Sequence, residues 1–174
     1  MTFDELLDML PHLRRRRQMN AATVRRLLNR KKGECTWCGG ELTGRRTRWC
    51  SDDCVGEFNT RCCPTVAANL VWDRDKGLCQ GCGRDIVKSQ RVFYLSVYGV
   101  ERVWFRDAEK QEPELASLLG YGRGRWGEVD HIVAVKDGGG LCLLDNLQLL
   151  CGQCHAGRTA EQAKTPVAAI ASNW

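Results

Sequence analysis

Within residues 128–164 the chain gathers the side chains that phosphodiester hydrolysis calls for. Asp130 and His131 are adjacent, Asn146 follows beyond a Gly138-Gly139-Gly140 run, and Cys151-Gly152-Gln153-Cys154-His155 closes the stretch. Hydrolysis of a phosphodiester needs a nucleophilic water, a group that takes its proton, and positive charge on the scissile phosphate and leaving oxygen. A histidine titrates near neutral pH and suits the proton acceptor. A carboxylate oxygen and an imidazole nitrogen form a mixed donor set for Mg²⁺, Mn²⁺ or Zn²⁺, with positions left open for water and phosphate. Adjacent residues of an extended strand point to opposite faces. Asp130 and His131 therefore serve one site only if the backbone bends there or the phosphate lies at the strand's edge.

The run Glu128-Val129-Asp130-His131-Ile132-Val133, then Leu144-Asp145-Asn146-Leu147-Gln148, then the Cys-x-x-Cys-His, resembles the HNH (ββα-metal) endonuclease family. The likeness is nearest to the HNH domain carried by replication-fork remodelling translocases. It covers residues 128 to about 164, roughly a fifth of the chain, and the remainder is not expected to extend it. The resemblance implies that His131 is the general base and that Asp130 and His155 ligate the catalytic metal, with Mg²⁺ ahead of Mn²⁺ or Zn²⁺. It implies that Asn146 belongs to the catalytic set, bracing the hairpin loop in many members and reaching the metal in others. DNA is the implied substrate, cut to 5′-phosphate and 3′-hydroxyl ends. Two other readings use the same residues: a non-catalytic zinc-dependent DNA-binding adaptor, and an RNA-directed nuclease. The intact Asp130, His131, Asn146 and His155 favour catalysis, and two of the chain's three histidines fall in the motif.

Those residues need elements to hold them, and the cysteines are the first candidates. Eleven cysteines in 174 residues exceed ordinary packing needs. No apolar run approaches membrane-spanning length. The N-terminus, with Asp4, Glu5 and Asp8 among Phe3, Leu6 and Leu7, lacks a signal peptide's basic start. The expected setting is therefore the reducing cytoplasm, or the nucleus in a eukaryote, where Cys-x-x-Cys pairs favour metal over disulfide. Cys79, Cys82, Cys151 and Cys154 are expected to form one structural Zn²⁺ site, closed and tetrahedral. Cys35, Cys38, Cys50 and Cys54 form the second, with Cys62 or Cys63 as alternatives to Cys54. Cys142 is left over.

Charge is uneven along the chain. Residues 1–33 hold nine basic and three acidic side chains, a net +6 in a chain whose net charge is +5. The basic residues are Arg14, Arg15, Arg16, Arg17, Arg25, Arg26, Arg30, Lys31 and Lys32, read as a phosphate-binding arm that positions the protein without reading sequence. Arg45, Arg46 and Arg48 between the cysteines, and Arg123 and Arg125 in the glycine-rich stretch before Trp126, are further candidates for contact with nucleic acid.

The periodicity predicts a short amphipathic helix within residues 2–13 cut by Pro11, and a helix capped by Asn20 and ended by Gly33. It also predicts a strand pair around Gly99, a helix from Glu114 to Leu119, and a helix from Ala156 to Ala163 presenting His155 from its first turn. The expected fold is α+β: a small zinc-bound ββα-metal core with an N-terminal helical arm and a treble-clef-like zinc module. The boundaries read as 1–33 for the arm, 34–64 for the zinc module and 65–174 for the nuclease domain with an insert at 83–129. Oligomeric state is open, and a homodimer is compatible with the motif.

Overall fold

The computed structural model describes residues 1–90 and 126–164. The strand pair around Gly99, the helix from Glu114 and the basic stretch with Arg123 and Arg125 lie outside these residues. The described chain divides into two compact units, one of residues 1–70 and 131–147, the other of residues 71–90, 126–130 and 148–164. Each has its own apolar centre and its own cluster of four cysteines.

In the first unit, Thr2 starts α1 (Phe3–Met9) with a reciprocal cap: its hydroxyl accepts from the Glu5 N–H at 3.2 Å, and the Glu5 carboxylate accepts from the Thr2 N–H at 2.7 Å. The helical spacing of Phe3, Leu6 and Leu7 puts all three on one buried stripe. Pro11 cannot continue the hydrogen-bond ladder and opens a 3₁₀ turn, Pro11–Arg15, that buries Leu13. Asn20 caps α2 (Ala21–Leu27), its Oδ1 accepting from the Thr23 N–H at 2.8 Å. That helix stops well short of Gly33, because Asn29 adopts a left-handed φ of 52°. Gly33 instead begins the cysteine knuckle, its carbonyl accepting from the Leu42 N–H at 2.7 Å.

Ser51 caps α3 (Asp52–Cys62), which supplies Phe58 and Cys62 to the same core. Leu141, from the loop between the two halves of the motif, is packed into this core beside the side chains of α1 and α2. Phe3 stacks against Trp37, and Trp49 against Phe58, each pair with centroids 4.9 Å apart. Arg61 is buried, forks onto the Asp4 carboxylate at 2.6 and 2.9 Å, and lies over the Phe3 ring. A buried guanidinium requires such a partner.

The second unit takes the end of α4 (Pro64–Asp75), where Val71 is fully buried, together with Ile86, Leu149 and Leu150. Strands β1 (Gly127–His131) and β2 (Leu147–Cys151) pair in a two-stranded sheet, and α5 (Gly152–Lys164) follows β2 without a break. This is the expected ββα order, with α5 starting earlier than the predicted Ala156. Asp75, not among the residues singled out in the sequence, fixes the strand to α4: its carboxylate accepts from the buried Leu149 N–H at 3.0 Å and from the Arg74 guanidinium at 2.7 and 3.0 Å. Among the described residues no helix is long and apolar enough to cross a membrane.

Leu7 is fully buried, so Leu7→Ala is expected to lower the unfolding free energy by about 2–5 kcal/mol in urea titration. Deleting residues 1–33 removes seven members of the first unit's core, Phe3 through Leu28, and is expected to abolish the cooperative unfolding transition of that unit. Asp75 gives a pH test. The Arg74 guanidinium, helped by the Leu149 N–H, holds its carboxyl below the usual carboxylate range against the opposing effect of burial. A carboxyl with a depressed folded-state pKa stabilises above its unfolded pKa of about 3.9, and that stabilisation is lost as pH falls through the folded value. Asp75→Asn is expected to flatten the acid limb of the stability profile and to cost about 1–3 kcal/mol at neutral pH.

Candidate active site

The sulfurs of Cys35, Cys38, Cys50 and Cys54 all lie within 4.8 Å of one another, as do those of Cys79, Cys82, Cys151 and Cys154. A tetrahedral zinc with Zn–S of about 2.3 Å requires sulfurs about 3.8 Å apart. The observed separations are 3.8 Å for Cys82 to Cys151, 3.4 Å for Cys38 to Cys50 and 3.5 Å for Cys50 to Cys54. Both clusters therefore fit a structural metal, and the fourth sulfur of the first is that of Cys54. Cys62 sits in the apolar core, where burial pushes its thiol up to about 12.

Backbone geometry prepares one thiol in each cluster as a ligand. Burial raises Cys35, yet the N–H groups of Cys38, Cys50 and Trp37 outweigh it and bring the thiol down to about 6. Cys79 is likewise raised by burial but brought down to about 7 by the N–H groups of Cys151, Cys82 and Gly81. N–H donors stabilise a thiolate, the form that binds metal.

The second cluster also sets the start of α5, since Cys151 ends β2 and Cys154 lies in the helix's first turn. His155 follows Cys154 directly. In this unit Glu128 and Asp130, two residues apart on β1, share a face. His155 and Arg158, three apart on α5, share another. The two faces meet: His155 Nδ1 lies 3.3 Å from a Glu128 carboxylate oxygen, and Arg158 Nε lies 3.0 Å from an Asp130 oxygen. All four side chains are half-buried. Glu128 and Arg158 were not singled out in the sequence, although strand and helix periods place them on the faces of Asp130 and His155.

His131 ends β1, half-buried, and the chain bends at Ile132 and Val133. The loop that follows is closed by Asn146. Its Oδ1 accepts from the Val133 N–H at 2.7 Å, and its Nδ2 donates to the carbonyls of Val133 at 3.2 Å and Gly139 at 2.9 Å. Both amide hydrogens are thus committed to loop backbone. The glycine run allows the close approach: a Cβ on Gly139 would stand 1.8 Å from the Val133 oxygen, and one on Gly140 2.1 Å from the Arg16 oxygen.

The basic side chains divide by environment. Arg25 bonds the carbonyls of Glu34 and Lys31, and Arg30 those of Met1 and Trp37. Both tie α2 and its flank to the cysteine knuckle. Arg14 pairs with Asp8 at 3.0 Å. Arg15, Arg16, Arg17, Arg26, Lys31, Lys32, Arg45, Arg46 and Arg48 are exposed.

Metal analysis is expected to return two Zn²⁺ per chain, falling to one in Cys35→Ser and in Cys79→Ser. Ligation at such sites contributes on the order of 10 kcal/mol to folding. Cys79→Ser is therefore expected to unfold the ββα unit, as followed by near-UV circular dichroism.

Comparison with known proteins extends the likeness. The family model of the HNH endonuclease matches residues 123–161. The protein named DNA annealing helicase and endonuclease ZRANB3 from Mus musculus is 35% identical over 141 residues, covering 73% of this chain and 13% of that protein. Its namesakes from Bos taurus and Homo sapiens are each 35% identical over 128 residues, covering 68% of this chain and 11% of theirs. The matched region thus spans only 11–13% of the length of these curated relatives. No solved structure matches the chain. Similarity over 68–73% of the chain corrects the expectation that the likeness ends with the motif. Residues 123–161 of this chain are thus an HNH endonuclease domain by similarity.

Proposed function

We propose that this protein is a metal-dependent endonuclease that hydrolyses DNA phosphodiester bonds to 5′-phosphate and 3′-hydroxyl ends. The observation that carries the reading is the opposition of Glu128 and Asp130 on β1 to His155 and Arg158 on α5, inside the matched HNH stretch. DNA is favoured over RNA because the relatives are named as DNA-acting enzymes. Asp130 and His155 would hold a divalent cation, Mg²⁺ in the first instance, and it would supply positive charge at the scissile phosphate and departing 3′ oxygen.

The protein's own groups do the rest. His131 takes the proton of the attacking water. Glu128, whose carboxylate lies 3.3 Å from His155 Nδ1, orients the ring and would leave Nε2 to hold the metal. Arg158 orients the Asp130 carboxylate through their ion pair at 3.0 Å. Asn146 holds the loop that follows His131. The exposed cations of residues 14–32 and 45–48, with Arg123 and Arg125, meet backbone phosphates.

Supercoiled plasmid incubated with Mg²⁺ is expected to be nicked or linearised, and EDTA to stop the reaction. His131→Ala is expected to lower the rate by roughly 10²–10⁴ while DNA and metal binding persist. Asp130→Ala or His155→Ala should recover partly as Mg²⁺ is raised. Glu128→Gln is expected to weaken Mn²⁺ binding, measured by calorimetry, by about 10–100-fold with both zinc sites intact. DNA binding without cleavage under every metal would instead identify a zinc-dependent adaptor.

A further inference from the structure

Asn146 organises more than the loop's closure. Its backbone carbonyl accepts from the Ile132 N–H at 2.8 Å, its backbone N–H donates to the Leu143 carbonyl at 3.2 Å, and its side chain brackets Val133 on both sides. One residue thus fixes the backbone at three positions, and those positions carry the exposed apolar side chains Ile132 (48%), Val133 (50%) and Leu143 (48%). Ile132 and Val133 come directly after His131. The same loop is seated on the basic turn of the first unit: the Gly140 N–H donates to the Arg14 carbonyl at 2.6 Å, and Gly140 leaves no room for a Cβ against the Arg16 carbonyl. Arg15, Arg16 and Arg17 are exposed beside it.

The geometry points to a DNA-opening wedge: Ile132, Val133 and Leu143 enter the base step beside the scissile phosphate of duplex DNA. The inference rests on the nuclease reading above, because a phosphate at His131 brings the neighbouring bases to Ile132 and Val133. Exposed apolar side chains on a hydrogen-bonded loop, with Arg15, Arg16 and Arg17 nearby, complement a partner that is anionic outside and apolar and stacked within. Insertion of such side chains unstacks a step at a cost repaid by further contact. The hydrogen bonds from Asn146 keep the tip in place, so it is not ordered anew at each encounter. Pyrimidine–purine steps, which unstack most easily, are the preferred sites.

The test compares the full chain with Ile132→Ser/Val133→Ser/Leu143→Ser, and with Ile132→Leu/Val133→Ile as a conservative control. All three positions are exposed, so zinc content and the unfolding midpoint should match the parent. Duplexes carrying 2-aminopurine at a TA step are bound in the His131→Ala background, which keeps them uncut. The parent tip and the conservative variant are expected to raise the fluorescence, and the triple serine variant to leave it flat. In cleavage with His131 intact, the serine variant is expected to cut intact duplex roughly tenfold more slowly, and to match the parent on a duplex mismatched at the scissile step. An equal fluorescence rise in all variants, or equal cutting of intact duplex, overturns the wedge and leaves the nuclease reading standing. A serine variant that changes the oligomeric state in light scattering with fluorescence unaltered assigns the tip to a second copy and also overturns it. Absence of binding and cleavage by the parent protein defeats the wedge and the nuclease reading together.

Discussion

The placement of His155 depends on sulfur. In the second unit, Cys79 and Cys82 from a knuckle, Cys151 from the end of β2 and Cys154 from the first turn of α5 bring their sulfurs within 4.8 Å. Among the described residues, the apolar side chains buried there are principally Val71, Ile86, Leu149 and Leu150, and a metal held by the four sulfurs would add to what they contribute. Cys154 is placed in this cluster, and ligation there would fix the phase of α5 and with it the direction of the residue next in sequence. The faces that carry Glu128 and Asp130, His155 and Arg158 then meet.

The first unit is held differently. Its cluster of Cys35, Cys38, Cys50 and Cys54 secures the knuckle, but the apolar centre is built from α1, α2, α3 and the buried Leu141. A basic N-terminal segment is thereby part of the scaffold. Arg25 and Arg30 spend their guanidinium groups on knuckle carbonyls, while Arg15, Arg16 and Arg17 remain exposed. The same run of cations thus combines brackets for the fold with side chains available to phosphate.

Much of this was legible in the residues. Cys-x-x-Cys spacings pair sulfurs reliably because few ligand geometries suit a tetrahedral ion, and both clusters formed from the expected cysteines. The Cys-x-x-Cys-His placed His155 in a first helical turn, and Asn20 and Pro11 marked caps and breaks through purely local chemistry. What escaped was tertiary. The end of α2 followed from Asn29 adopting left-handed backbone, which no residue type requires. Asp75 reads as one more surface carboxylate until Leu149, far along the chain, supplies its N–H. Glu128 and Arg158 become legible only once β1 and α5 are known to face each other. The amphipathic start of the chain showed a buried stripe, but nothing in it names Leu141 as the residue buried against it.

The clamp at Arg61 carries a consequence for how the chain comes to be folded. Its guanidinium reaches back across 57 residues to Asp4 and forward across 80 to the Leu141 carbonyl. Such separations raise contact order and slow the search for the native state. During synthesis α1, α2 and α3 emerge long before Leu141, so their shared apolar face waits, open on one side, until the hairpin loop leaves the ribosome. The core of the first unit thus gains Leu141, from the loop beside the candidate catalytic histidine, late in synthesis.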